Sequence, residues 1–133
     1  MPVATVDDTA EATLTVTDET IDAYADLTGD ENPIHTDADY AAETMFGGRV
    51  AHGMLTAGVV SAALADLPGD IVYLSQELDF ENPVGPGQTV TATATVVEEL
   101  GDDRLRVQTI AETDAERVLS GTAVVLSLPY DRE

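Results

Sequence analysis

MLTAGVVSAALADL, residues 54–67, is the stretch on which the fold turns. It is apolar on nearly every side, with only Thr56, Ser61 and Asp66 breaking the pattern, and it follows the glycines of FGGRVAHG at 46–53. A helix of that kind must be surrounded. Downstream of the turn LPGD at 67–70, four segments alternate with the period of a half-buried strand: IVYLSQELDF (71–80), TVTATATVVEEL (89–100), RLRVQTIAET (104–113) and ERVLSGTAVVLSL (116–128). NPVGPGQ, GDD and DAE join them, and three such short connections predict antiparallel neighbours. Upstream, ATLTVT at 12–17 sets Ala12, Leu14 and Val16 against three threonines, which reads as a further strand. Asp18 is placed to cap a helix carrying Ile21, Tyr24 and Leu27 on one side, and Gly29 is placed to end it.

One buried helix and about five antiparallel strands have few packing solutions. The simplest is an α+β arrangement in which a curved five-stranded sheet wraps the helix in the manner of a hotdog fold, with Ala57, Gly58, Ala62 and Ala63 allowing close approach. A single sheet of this kind leaves an edge strand and part of its helix uncovered, so a homodimer is the expected remedy. At 133 residues and 44% apolar content, the chain is sized for one domain, 1–133.

Charge is the most unusual bulk property. There are 26 acidic residues against 5 basic ones, all arginine, for a net charge of -21. Nucleic acid and anionic membrane are poor partners for such a surface. The acids are scattered through a chain of ordinary apolar content, which argues against disorder. Screening by molar salt, where the Debye length is about 3 Å, makes the charge tolerable and points to a halophilic source. No stretch approaches the roughly 20 apolar residues of a membrane span, and MPVATVDD lacks the basic and apolar regions of a signal peptide, so a cytoplasmic protein is expected. The absence of cysteine removes disulfides, thiolate catalysis and cysteine-based metal sites together.

TGDENPIHTD, at 28–37, brings Asp30, Asn32, Pro33 and His35 within six positions of a chain that has two histidines. Pro33 disfavours a helical Asn32, so a turn is expected here, and Thr36 with Asp39 resembles a capping box opening a short helix, DADYAAETM. Taken alone, Asp30 and His35 read more readily as an Asx-turn carboxylate and a solvent-exposed histidine.

The longer stretch YADLTGDENPIHTDADYAAETMFGGRVAHGMLTAGVVSAAL, 24–64, resembles the MaoC-like hydratases, and within them the (R)-specific enoyl-CoA hydratases. It fits that family's run of Gly-Asp, one residue, Asn-Pro, an aliphatic residue and His, followed by the His-Gly-Met that opens the central helix. LPGDIVYLSQELDFENPVGPGQTV, at 67–90, extends the resemblance over nearly the whole chain. The resemblance implies a hotdog homodimer that adds water reversibly and syn to trans-2-enoyl-CoA, giving (R)-3-hydroxyacyl-CoA. No metal or cofactor is implied, coenzyme A being part of the substrate.

Such chemistry needs a base for water, an acid for C2 and donors for charge on the thioester oxygen. His35, just before an expected helix N-terminus that favours the neutral imidazole, is the candidate base, and Asp30 the partner that shares the water and delivers a proton to C2. Gly53, at the start of the buried helix, is the candidate oxyanion donor through its N–H. Asn32 is assigned a supporting role in the turn, and His52 a structural one. Ser61 matches a serine the family carries near its active site, but inside an apolar helix it can equally back-bond to the carbonyl of Ala57. Arg49 is the candidate contact to coenzyme A phosphate or adenine, unless it only neutralises a nearby carboxylate. Two other readings are compatible with the fold: an acyl-CoA thioesterase, and a non-catalytic acyl-CoA-binding module.

Overall fold

A computed structural model describes residues 2–130. In chain order its elements are β1 (Thr9–Thr15), α1 (Asp18–Thr28), α2 (Pro33–Thr36), α3 (Ala38–Ala42), α4 (Gly53–Ala65), β2 (Asp70–Phe80), β3 (Thr89–Gly101), β4 (Arg104–Glu112) and β5 (Arg117–Leu128). The five strands form one antiparallel sheet in the order β1-β3-β4-β5-β2.

The alternation in β3 shows why the sheet wraps the helix. Val90, Ala92, Ala94 and Val96 point inward and are fully buried, while threonines occupy the positions between them. The inward residues join Val60, Ala63 and Leu64 of α4, together with Leu67, Leu105, Val107, Leu119 and Val125, in one core cluster. Each large aliphatic side chain buried there stabilises the fold by about 1.5–3 kcal/mol relative to exposure. Small residues do permit the close approach, but half of those expected to do so face elsewhere. Ala57 and Ala63 lie on the buried side, Ala63 within the same core cluster as Ala92 and Ala94 of the sheet, while Gly58 and Ala62 lie on the exposed side.

The strand order departs from the expectation in one place. GDD and the DAE turn do join neighbours, but β2 lies beside β5 and not beside β3. Its connection crosses the end of the sheet, with Val84 buried, the Val84 carbonyl accepting from the Ala51 N–H, and Gly87 and Gln88 bonded to Val16. NPVGPGQ is therefore a crossover, held against the start of α4 and the β1–α1 junction, where a hairpin was expected. The consequence for the site is direct, because this crossover carries one wall of a cavity to the mouth of α4.

Two helix starts also shift by one residue. Thr17, not Asp18, caps α1: its backbone is extended, its hydroxyl accepts from the Thr20 N–H, and the Thr20 hydroxyl faces the Thr17 N–H in return. Asp37, not Thr36, caps α3 by accepting from the Tyr40 N–H. Gly29 ends α1 in the left-handed conformation at φ 82°, as its position suggests.

The helix α4 is not enclosed by its own chain. Met54, Gly58, Ser61 and Ala62 face outward, and beside them Val72, Tyr73 and Leu74 of edge strand β2 are 40–48% exposed. Among the described residues no helix is long and apolar enough to cross a membrane.

Candidate active site

The turn between α1 and α2 is built from its own side chains. Thr28 Oγ1 accepts from the Asp30 N–H, an Asp30 carboxylate oxygen accepts from the Asn32 N–H, and Asn32 Oδ1 accepts from the Ile34 N–H. Asn32 thereby caps the single turn of α2, and Pro33 follows as its first residue. His35 lies within this single turn and, as expected, just ahead of the next helix, α3, but its ring is oriented by the loop before α4. Its Nδ1–H donates to the Val50 carbonyl at 2.8 Å, which leaves Nε2 with the lone pair.

Arg49 fastens the same segment from the other side. Its Nε–H donates to the His35 carbonyl at 2.6 Å, and its terminal nitrogens pair with Asp18 at 2.9 Å and Asp22 at 2.6 Å. The arginine side chain is only 11% exposed. Of the two readings of Arg49, the structure shows the pairing with carboxylates: all three nitrogens are engaged in a clamp joining α1 to the His35 turn.

Asp30 and His35, the two candidate catalytic residues, do come together. A carboxylate oxygen of Asp30, a ring nitrogen of His35 and a ring nitrogen of His52 all lie within 4.8 Å of one another. Asp30 is exposed, while His35 and His52 are 9% and 1% exposed. The two imidazoles stack with centroids 4.0 Å apart and planes 28° from parallel, and Tyr24 covers the His52 ring at 4.6 Å. The trio has the spacing of a metal-ligand set, but stacked rings direct their in-plane lone pairs side by side instead of at one point. His52 Nε2 is moreover committed to the Asp30 carbonyl at 2.9 Å. The donor set suits proton transfer better than metal binding.

Gly53 is the first residue of α4, and His52 at the cap position offers no side-chain bond to the exposed helix start. Among the described residues nothing accepts from the Gly53 N–H. Glycine also leaves room for a neighbour: a Cβ would stand 2.8 Å from Cε1 of the exposed Phe80 ring, which would have to shift. His35 and Gly53 line a cavity of about 440 Å³ whose apolar walls include Ile34, Phe46, Phe80, Val84 and Val118. Glu81 sits at the same rim, its carboxyl held below the ordinary carboxylate range by the hydrogen bond from Ser120 and, more weakly, by Arg117.

Ser61 is not part of this group. It lies two turns further along α4, about 12 Å by helical rise, on the exposed side, and lines a separate cavity of about 380 Å³ with Met54, Gly58, Tyr73 and Gln76. It makes no back-bond to Ala57. Sequence reasoning missed Phe80, Val84 and Val118, which reach the cavity from β2, the crossover and β5, and it missed the stacking of the two histidines. His52 beside Gly53 was the available signal, since it is the other histidine of the chain.

Residues 4–119 match the family described as MaoC like domain. A 3-hydroxybutyryl-CoA dehydratase of Methylorubrum extorquens is 44% identical over 105 residues, 77% of this chain and 67% of that protein. An (R)-specific enoyl-CoA hydratase of Rhodospirillum rubrum is 40% identical over 115 residues, 84% of this chain and 80% of that one. Among solved structures, the unliganded R-hydratase PhaJ1 from Pseudomonas aeruginosa superposes with a TM-score of 0.88 at 34% identity, covering 97% of this chain and 88% of its own.

Proposed function

The chain belongs to the MaoC-like domain family, and from that premise we propose that it is an (R)-specific enoyl-CoA hydratase, a hydro-lyase that adds water reversibly to trans-2-enoyl-CoA. The observation that carries the reading is the meeting of the Asp30 carboxylate with the His35 ring, within 4.8 Å and at a cavity that His35 and Gly53 both line. Groups at that separation can hold one water between them. His35 Nε2, bare because Nδ1 donates to Val50, takes a proton from that water as its oxygen bonds to C3. The proton reaches C2 through Asp30 on the same face, and the Gly53 N–H stabilises the charge that gathers on the thioester oxygen between the two steps. The acyl chain occupies the apolar cavity. Neither a metal nor a cofactor takes part.

The same reading extends to assembly and setting. The exposed side of α4, with Ser61, and the free edge of β2 pack against a second copy of the chain, which closes the 380 Å³ cavity. Residues 1–133 act as a single domain, in the cytoplasm of a salt-loving cell, on acyl-CoA supplied to fatty-acid or polyhydroxyalkanoate metabolism. With Arg49 engaged elsewhere, coenzyme A is held chiefly through its pantetheine arm.

The test is incubation with crotonyl-CoA in concentrated KCl, following enoyl absorbance, product chirality and free thiol together. Loss of absorbance with (R)-3-hydroxybutyryl-CoA as product supports the proposal. Release of coenzyme A thiol without hydration makes the protein a thioesterase, and binding without turnover makes it an acyl-CoA-binding module.

A further inference from the structure

We propose that His52 is a positioning residue that sets the catalytic aspartate against His35 through the aspartate's main chain. The inference rests on the hydratase reading above. A carbonyl oxygen only accepts, so the 2.9 Å contact between His52 Nε2 and the Asp30 carbonyl requires the proton on Nε2. Nδ1 is then the bare nitrogen, and it is buried with no partner. A buried polar atom left without a partner is unfavourable, and a phenylalanine would fill the same core position without it. What the histidine supplies in return is its other nitrogen.

That nitrogen acts on the loosest part of the site. Asp30 is exposed and belongs to no helix or strand. Its other hydrogen bonds, to Thr28 Oγ1 at the end of α1 and from the Asn32 N–H, reach only two residues along the chain. Val50 and Arg49 hold the segment through Ile34 and His35, and the bond from His52 is the one that reaches Asp30 itself from the start of α4. His52 is itself buried and in contact with both the His35 and Tyr24 rings, and it directly precedes Gly53 in the chain. One side chain therefore relates the carboxylate, the imidazole and the oxyanion donor to each other, and an error of about 1 Å in such relations costs of the order of 100-fold in rate.

Two variants separate the donor from the ring. H52F keeps a ring against His35 and Tyr24 but removes the donor, and H52Q returns a donor at similar reach without the ring. H52F is expected to lower kcat by about 10- to 100-fold with KM within about 3-fold, and H52Q to recover most of the loss. In a D30N background H52F should add less than about 3-fold, because its effect passes through Asp30. Full kcat in H52F, a failure of H52Q to exceed H52F, or losses that multiply with D30N would each overturn the proposal. Long-range proton–nitrogen NMR of the unmutated protein is a test that needs neither folding variants nor substrate: His52 should show the Nε2–H tautomer and His35 the Nδ1–H tautomer. A His52 in the Nδ1–H form overturns the proposal even if the protein hydrates enoyl-CoA. Failure of the unmutated protein to hydrate enoyl-CoA instead removes the hydratase reading.

Discussion

Asp30 and His35 are separated by five positions, which in an unbroken helix would point them about 140° apart. The break at Asn32 and Pro33 restarts the chain as a single helical turn, and that restart swings the imidazole back towards the carboxylate. D30N and H35A are each expected to lower kcat by about 10²- to 10⁴-fold, measured as loss of enoyl absorbance, with far-UV circular dichroism unchanged. The fold should survive because neither residue belongs to the core cluster. The turn that brings the two side chains together was legible in the sequence because its determinants lie within a few residues: a glycine to stop one helix, an Asn-Pro pair to start the next. The tautomer of His35 was not, because it depends on Val50, fifteen positions away and in a loop without periodicity.

At the scale of elements, the turn stays in place through what α1 and the loop before α4 do to it. Arg49 contributes two kinds of contact there, and magnitudes separate them. The ion pairs to Asp18 and Asp22 involve carboxylates that are 61% and 58% exposed, so each is worth about 0–1 kcal/mol and less in salt. The bond to the His35 carbonyl comes from an arginine that is 11% exposed, and a charge-assisted bond of that kind is worth about 1.5–3 kcal/mol. R49M should therefore destabilise the protein by about 1–3 kcal/mol in urea titrations even in molar KCl, whereas D18N and D22N should stay within about 0.5 kcal/mol. Element identities were legible from periodicity, and the helix stop at Gly29 from residue type. The partner of β2 was not, because Leu78 and its neighbours meet Gly121 and β5 across some forty positions of chain, with no local pattern to announce the pairing. Gly121 carries part of that pairing as a close approach: a Cβ there would stand 1.8 Å from the Glu77 carbonyl oxygen, a constraint invisible before the register is known.

For the whole molecule, the uneven coverage of α4 and the charge of -21 set the remaining expectations. G58E places a carboxylate on the uncovered side of the helix, where a Cβ meets nothing within 4 Å in the single chain. If that side faces a second copy, sedimentation should show dimers for the unmutated protein and single chains for the variant, with circular dichroism retained. A dimer that persists in G58E would move the interface elsewhere. Removal of salt should unfold the protein as the Debye length grows from about 3 Å at 1 M to about 30 Å at 0.01 M and the acidic surface repels itself. Unchanged ellipticity without salt would remove the halophilic reading. The charge was legible from composition alone, but the cavity beside His35 was not, since its walls come from four separated segments. The central claim is that one carboxylate and one imidazole act through one water on one face of the substrate. Hydration of crotonyl-CoA in deuterium oxide tests it most directly, by locating the deuterium at C2 relative to the new hydroxyl at C3. The account predicts both on the same face, and deuterium on the opposite face would contradict it.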